Sequence, residues 1–107
     1  MATTTDTTRK PLGILANDGK NYLAWETRVK IAARKEGVDR HFLHTNDGGP
    51  ARPANAGAPQ TKWDQDDGKA MAEILRMLDD NGVARITDLT TAADMWSFLQ
   101  KKHRHTG

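Results

Sequence analysis

The chain predicts an all-α fold: a small bundle of four to five helices with a disordered N-terminal tail and a Pro/Gly-rich loop. Three observations lead there. Apolar residues recur at three-and-four spacing in three separate segments, the signature of helices with one buried side. Those segments are bounded by residues with capping or helix-stopping chemistry. No stretch alternates strictly with β-branched residues, as a half-buried strand would.

The elements follow in chain order. Residues 1–14 are polar, Thr-rich and without periodicity, so they bury too little to offset the entropy of ordering a backbone and read as a disordered tail ahead of a domain spanning 15–107. Asn17-Asp18-Gly19 forms a turn, and Asn21 is placed to cap a helix from about Tyr22 to Glu36, stopped by Gly37. Tyr22, Trp25, Val29, Ala32 and Ala33 share one face of it, while Leu23, Thr27 and Ile31 make a second, thinner stripe. Val38 to His44 predicts a short helical turn that packs Phe42 and Leu43 under this helix. Residues 47–59 hold several prolines and glycines, which deny them a helix or a sheet ladder and predict a flexible loop.

Thr61 with Asp64 resembles a capping box opening a long helix to about Asp80. Trp63, Ala70, Met71, Ile74, Met77 and Leu78 spread over a wide arc of it, with Leu75 at the edge, as a central helix would show. Asn81-Gly82 ends that helix, and Val83 to Leu89 predicts another short one. Thr91 and Asp94 repeat the cap signal before a last helix that turns Ala92, Met95, Trp96 and Leu99 to one side and runs out through Lys101 to Gly107. The expected core is Tyr22, Trp25, Trp63, Ile74, Leu78, Trp96 and Leu99.

Composition narrows the function. A chain of 107 residues supports one small domain. Without cysteine it has no disulfide, thiolate zinc site or thiol nucleophile, which suits a cytoplasmic setting. No apolar run approaches the about 20 residues of a membrane helix, so no membrane partner is expected. There is no G-x-S-x-G elbow, phosphate-binding glycine loop or H-E-x-x-H, and no enzyme, cofactor or small-molecule substrate is expected. Asp64, Asp66 and Asp67 read as first-turn carboxylates favoured by the helix dipole rather than as a metal site. His41-x-x-His44 and His103-x-His105, without cysteine partners, make a poor zinc site, so no metal is assigned.

A net charge of +2 is too small to argue nucleic-acid binding from composition. Arg28, Lys30, Arg34 and Lys35, with Lys101, Lys102 and Arg104, are the candidate phosphate contacts, although cations at the end of the last helix also suit its dipole. The tryptophans fall in register with apolar stripes and read as core rather than as base-stacking platforms. Only Leu23, Thr27 and Ile31 resist a core explanation, since a helix in a small bundle seldom needs two apolar faces. They are the candidate self-association residues.

Three ordered motifs carry a resemblance. Gly19, Asn21, Tyr22 and Trp25 match a G-x-N-Y-x-x-W element. Trp63, Asp67, Ala70, Ile74 and Leu78 match a W-x-x-x-D helix ending in I-x-x-x-L, and Thr91, Ala92, Trp96 and Leu99 match T-A-x-x-x-W-x-x-L. From about Leu15 to His103 the chain resembles the N-terminal Gag region of Copia-type long-terminal-repeat retrotransposons. It departs from the pattern in a longer run from Leu15 to Gly19 and in His103, where an aromatic is often found.

The resemblance implies a structural protein that associates with other Gag subunits toward a virus-like particle around RNA. It also implies further capsid helices and often a zinc knuckle that binds RNA. Neither is found in these 107 residues, so a fragment, a relic or a host-retained remnant is expected. A non-enzymatic assembly module leads, a host-adopted adaptor that binds a protein or peptide in a groove of the bundle is the alternative, and a weak, non-specific RNA-binding module comes third.

Overall fold

A computed structural model of the chain describes residues 14–103. The tail expected over residues 1–14 therefore lies almost wholly outside the described residues, as do Arg104 and His105. The described part is helical, with four α-helices and no strand. They are α1 (Tyr22–Lys35), α2 (Ala58–Arg76), α3 (Asp80–Arg85) and α4 (Ala92–His103), with two 3-10 turns, Asp39–Phe42 and Thr45–Asp47, between α1 and α2.

Flat aromatic rings hold α1, α4 and the first turn together. His103 lies 5.9 Å from Tyr22, Tyr22 5.6 Å from Trp25, Trp25 5.8 Å from Trp96, and Trp96 4.3 Å from Phe42 between ring centroids. Pairs at such distances contribute about 0.5–1.5 kcal/mol each beyond the area they bury. Val29, Ala33, Val38, Ala70, Ile74, Ile86 and Leu99 close around this ladder.

The first motif is intelligible from these contacts. Gly19 has φ +73°, and a Cβ there would sit 2.6 Å from His103 Nδ1, so only glycine admits both the backbone and the ring against it. Asn21 does not cap α1 with its side chain. Its Oδ1 instead accepts from Ala16 N at 2.8 Å and its Nδ2 donates to Ile14 O at 2.9 Å, folding the lead-in back onto the helix. Trp25 Nε1 donates to Met77 O at 2.8 Å, and Leu15 N donates to the same carbonyl at 3.0 Å. An otherwise orphaned carbonyl at the end of α2 is thereby satisfied from two elements.

Several boundaries differ from the sequence expectation, each for a local reason. α1 ends at Lys35, one residue early. α2 begins at Ala58 rather than Thr61, because Pro59 sits in its first turn, where a missing N–H costs nothing. Thr61 and Asp64 do not form the capping box: Thr61 N donates to Gly57 O, and Asp64 pairs with Arg52. α2 stops at Arg76 rather than Asp80, because Asp79 turns its carboxylate to Gly82 N at 2.9 Å and caps a new helix. Asn81-Gly82 therefore lies inside α3, which replaces the helix expected over 83–89. The cap expected at Thr91 is present, with Asp94 N donating to Thr91 Oγ1 at 3.2 Å.

The expected core is mostly buried: Tyr22, Trp25, Ile74, Leu78, Trp96 and Leu99 all lie inside. Trp63 does not. It is half-buried at the rim, its indole N–H donating to Pro50 O at 2.9 Å and its ring 5.0 Å from His41. Leu43 likewise faces outward, while its neighbour Phe42 takes the core position.

Candidate functional site

The outer face of α1 carries the two most exposed large apolar side chains among the described residues. Leu23 is 64% and Ile31 55% exposed, although both lie on a helix whose opposite side is sealed. Thr27, between them, is exposed and donates its hydroxyl to Leu23 O at 3.1 Å, so its polar atom is already engaged within the helix. Beside Ile31 the surface dips into a concavity of about 190 Å³ lined by Thr27, Lys30, Arg34 and Asp39. The structure thus brings Leu23, Thr27 and Ile31 onto one exposed face, flanked by cations.

The candidate phosphate contacts separate into two groups. Arg28, Lys30, Arg34 and Lys35 are all exposed on α1, and none forms an ion pair among the described residues. Lys101 and Lys102 are exposed at the end of α4.

A second concavity, of about 250 Å³, lies around Trp63 and is bordered by His41, His44, Pro50, Arg52 and Thr91. Its charges are matched internally. Buried His41 hydrogen-bonds through Nδ1 to Asp67 Oδ1 at 3.0 Å, and the Asp67 carboxylate also receives Ala92 N at 3.3 and 3.4 Å. One carboxylate therefore ties the first 3-10 turn and the start of α4 to α2. Asp67 is no solvated first-turn acid, contrary to the sequence reading: burial without partners would be costly, and these two bonds are what permit it.

Around this buried pair, His44 Nε2 bonds Asp94 Oδ1 at 2.9 Å, and Arg52 forks onto Asp64 at 2.8 and 2.9 Å. The Arg52 hydrogen bond holds the Asp64 carboxyl below its ordinary value, and the His44 bond does the same for Asp94. Gln60 Nε2 also donates to Pro53 O at 2.9 Å. Residues 48–57 are thus tied to α2 at Pro50, Arg52 and Pro53. The two histidines address different carboxylates, and no group of three or more potential metal ligands occurs among the described residues. No helix among them is long and apolar enough to cross a membrane.

Sequence reasoning missed four buried polar residues, Glu26, His41, Asp67 and Glu73. Glu26 accepts from Tyr22 Oη at 3.0 Å and from Gln100 Nε2 at 3.1 Å. Its spacing from Tyr22, four residues along one helix face, was the available signal.

Fold and surface define a small helical module that keeps the aromatics of its first and third motifs inside, Trp63 at the rim and one apolar helix face outside. A family model described as gag-polypeptide of LTR copia-type matches residues 24–107, and the chain belongs to that family. The match takes in Trp25 and the second and third motifs, with Gly19, Asn21 and Tyr22 just ahead of it. No curated protein and no solved structure matches the chain. The family is generally non-enzymatic, and its domain describes a retrotransposon Gag-like structural module.

Proposed function

We propose that this domain is an assembly module whose copies associate through the outer face of α1, as part of a Gag that builds a particle in the cytoplasm. One observation carries the reading: Leu23 and Ile31 remain in water on a helix whose other bulky apolar residues, Tyr22, Trp25 and Val29, are buried. Family membership supports it, because subunit contact is what the Copia-type resemblance implies. The stripe is narrow, well short of the roughly 800 Å² per partner of a stable interface, so the isolated domain associates weakly. RNA is engaged through other parts of a Gag, since the exposed cations here can neutralise only a few phosphates.

Sedimentation equilibrium of the parent and of Ile31→Glu tests this. The parent should show a concentration-dependent rise in mass that the variant lacks, while both give the same circular dichroism. A parent that stays monomeric at about millimolar concentration would sink the reading. So would an Ile31→Glu that associates as well as the parent.

A further inference from the structure

Between α1, the Asp39–Phe42 turn and α4 runs a trough that neither the ring ladder nor the α1 stripe explains. One part of it, a concavity of about 230 Å³, is lined by exposed Leu43 and the edges of the buried Phe42 and Trp96 rings, with Lys30, Asp39, Arg40 and Gln100 beside them. Leu43 is 43% exposed there. Lys30 and Asp39 also line the neighbouring concavity beside Ile31 and Arg34.

The charge around this trough is one-sided. Lys30, Arg34 and Arg40 face a single acid, Asp39, and none of the three cations has an ion-pair partner among the described residues. Arg52 with Asp64 and Lys62 with Asp66 do find carboxylates, whereas Arg28, Lys35, Lys101 and Lys102 form no ion pair among the described residues either, so what marks the trough is three cations gathered around one acid. Lys30 and Arg34 are also four apart on α1, a spacing at which like charges repel and a bound anion relieves the cost. Arg40 is held in place by a hydrogen bond to Gly48 O at 3.2 Å. Gln100 spends its amide N–H on Glu26, which leaves its carbonyl oxygen to accept from a ligand.

We propose that this trough binds an acidic peptide segment of a partner protein, one aliphatic or aromatic side chain seated against exposed Leu43 at the edge of the buried Phe42 ring and flanking carboxylates on Lys30, Arg34 and Arg40. The volume holds one or two side chains, not a drug-sized molecule. A nucleic acid fits less well: the Phe42 and Trp96 rings are stacked on one another and offer no open face to a base. This goes beyond self-association but touches it, because Ile31 borders both surfaces.

Fluorescence anisotropy with a labelled peptide of about ten residues, Asp and Glu around a central Leu-Phe, tests the proposal on the full chain. Controls are the same peptide with Ser-Ser at the centre and a labelled oligouridine. The expected dissociation constant is on the order of 100 µM, weakened about tenfold by Leu43→Glu and by Arg40→Glu. Both positions are exposed, so circular dichroism should show both variants folded. Leu23→Glu, outside the trough, should leave peptide binding unchanged while weakening self-association, so the two readings fail separately.

Equal binding of the Ser-Ser peptide would reduce the trough to bare charge and overturn the proposal. Tighter binding of the oligouridine would overturn it in favour of a nucleic-acid surface. Displacement of the peptide by the chain's own association, with no loss in Leu43→Glu, would overturn it in favour of a second copy, and no binding at all would do so outright.

Discussion

The two sides of α1 obey the same spacing rule and meet opposite fates. Tyr22, Trp25, Val29 and Ala33 are sealed against α2, α4 and the first 3-10 turn, while Leu23 and Ile31, no less apolar, stand in water. What separates them is supply of partners. The inner face meets Trp96, Phe42 and His103 from distant parts of the chain, and Met77 offers its carbonyl to the Trp25 indole. The outer face meets nothing within the described residues except neighbours on its own helix and the flank of the trough. Periodicity announces that a face is apolar; only the rest of the assembly decides whether it is covered.

The sharpest way to break the comparison is to put the same charge on both faces. Val29→Glu should abolish the cooperative melt, because a carboxylate would be buried with no partner in reach, whereas Ile31→Glu should melt within a degree or two of the parent. Equal melting of the two variants would erase the distinction. Trp96→Ala, which removes the ring shared by Trp25 and Phe42, should cost about 3 to 5 kcal/mol by urea denaturation. Such a loss is comparable to the whole stability of a domain this size.

Asp67→Ala should cost about 1 to 3 kcal/mol, since it strands buried His41 and the Ala92 amide together. Replacing residues 48–57 with a Gly-Ser linker should cost about 1 kcal/mol, mostly from the Trp63–Pro50 bond, because the Arg52–Asp64 pair is half-exposed and solvent-screened. No change in the urea midpoint would show that this segment is only a tether.

The smallest expected effect is at Glu36. Its carboxyl is raised above the ordinary value chiefly by a hydrogen bond to the neighbouring Glu73 carboxyl, aided by desolvation and by repulsion from it. A raised acid binds its proton more tightly folded than unfolded, so its contribution is lost as pH rises through the folded value. Ionised Glu36 therefore opposes folding slightly at neutral pH. Glu36→Gln should raise the melting temperature a little at pH 7 and lose that advantage below about pH 4, near the unfolded carboxyl value.

Much of this architecture was legible in the sequence, because bulky residues at helical spacing have few alternatives to burial. The three motifs, the all-α class and six of the seven expected core residues rest on that rule. Trp63 escaped it: periodicity assigned it inward, but its indole N–H needs an acceptor and finds Pro50 O at the rim. The helix boundaries were lost for a similar reason. Pro59, Asp64 and Asp79 each admit two uses, and the choice was made by Arg52, Gly82 and the needs of the Met77 carbonyl. The Asp67 bond to His41 joins residues 26 apart, a pairing no local pattern encodes. Of the candidate surface, the Leu23, Thr27 and Ile31 stripe could be read directly, whereas the trough is assembled from α1, the 3-10 turn and α4 and exists only after folding.

The central claim is that copies meet through the outer face of α1. The most direct measurement is a dilution series of amide nuclear-magnetic-resonance spectra on the isotopically labelled chain, from about 20 µM to about 1 mM. Concentration-dependent shifts should concentrate on Leu23, Thr27, Ile31 and their neighbours on that face and spare Trp63, Arg52 and Asp64. Shifts clustered around Trp63, or spectra that do not change across the series, would contradict it.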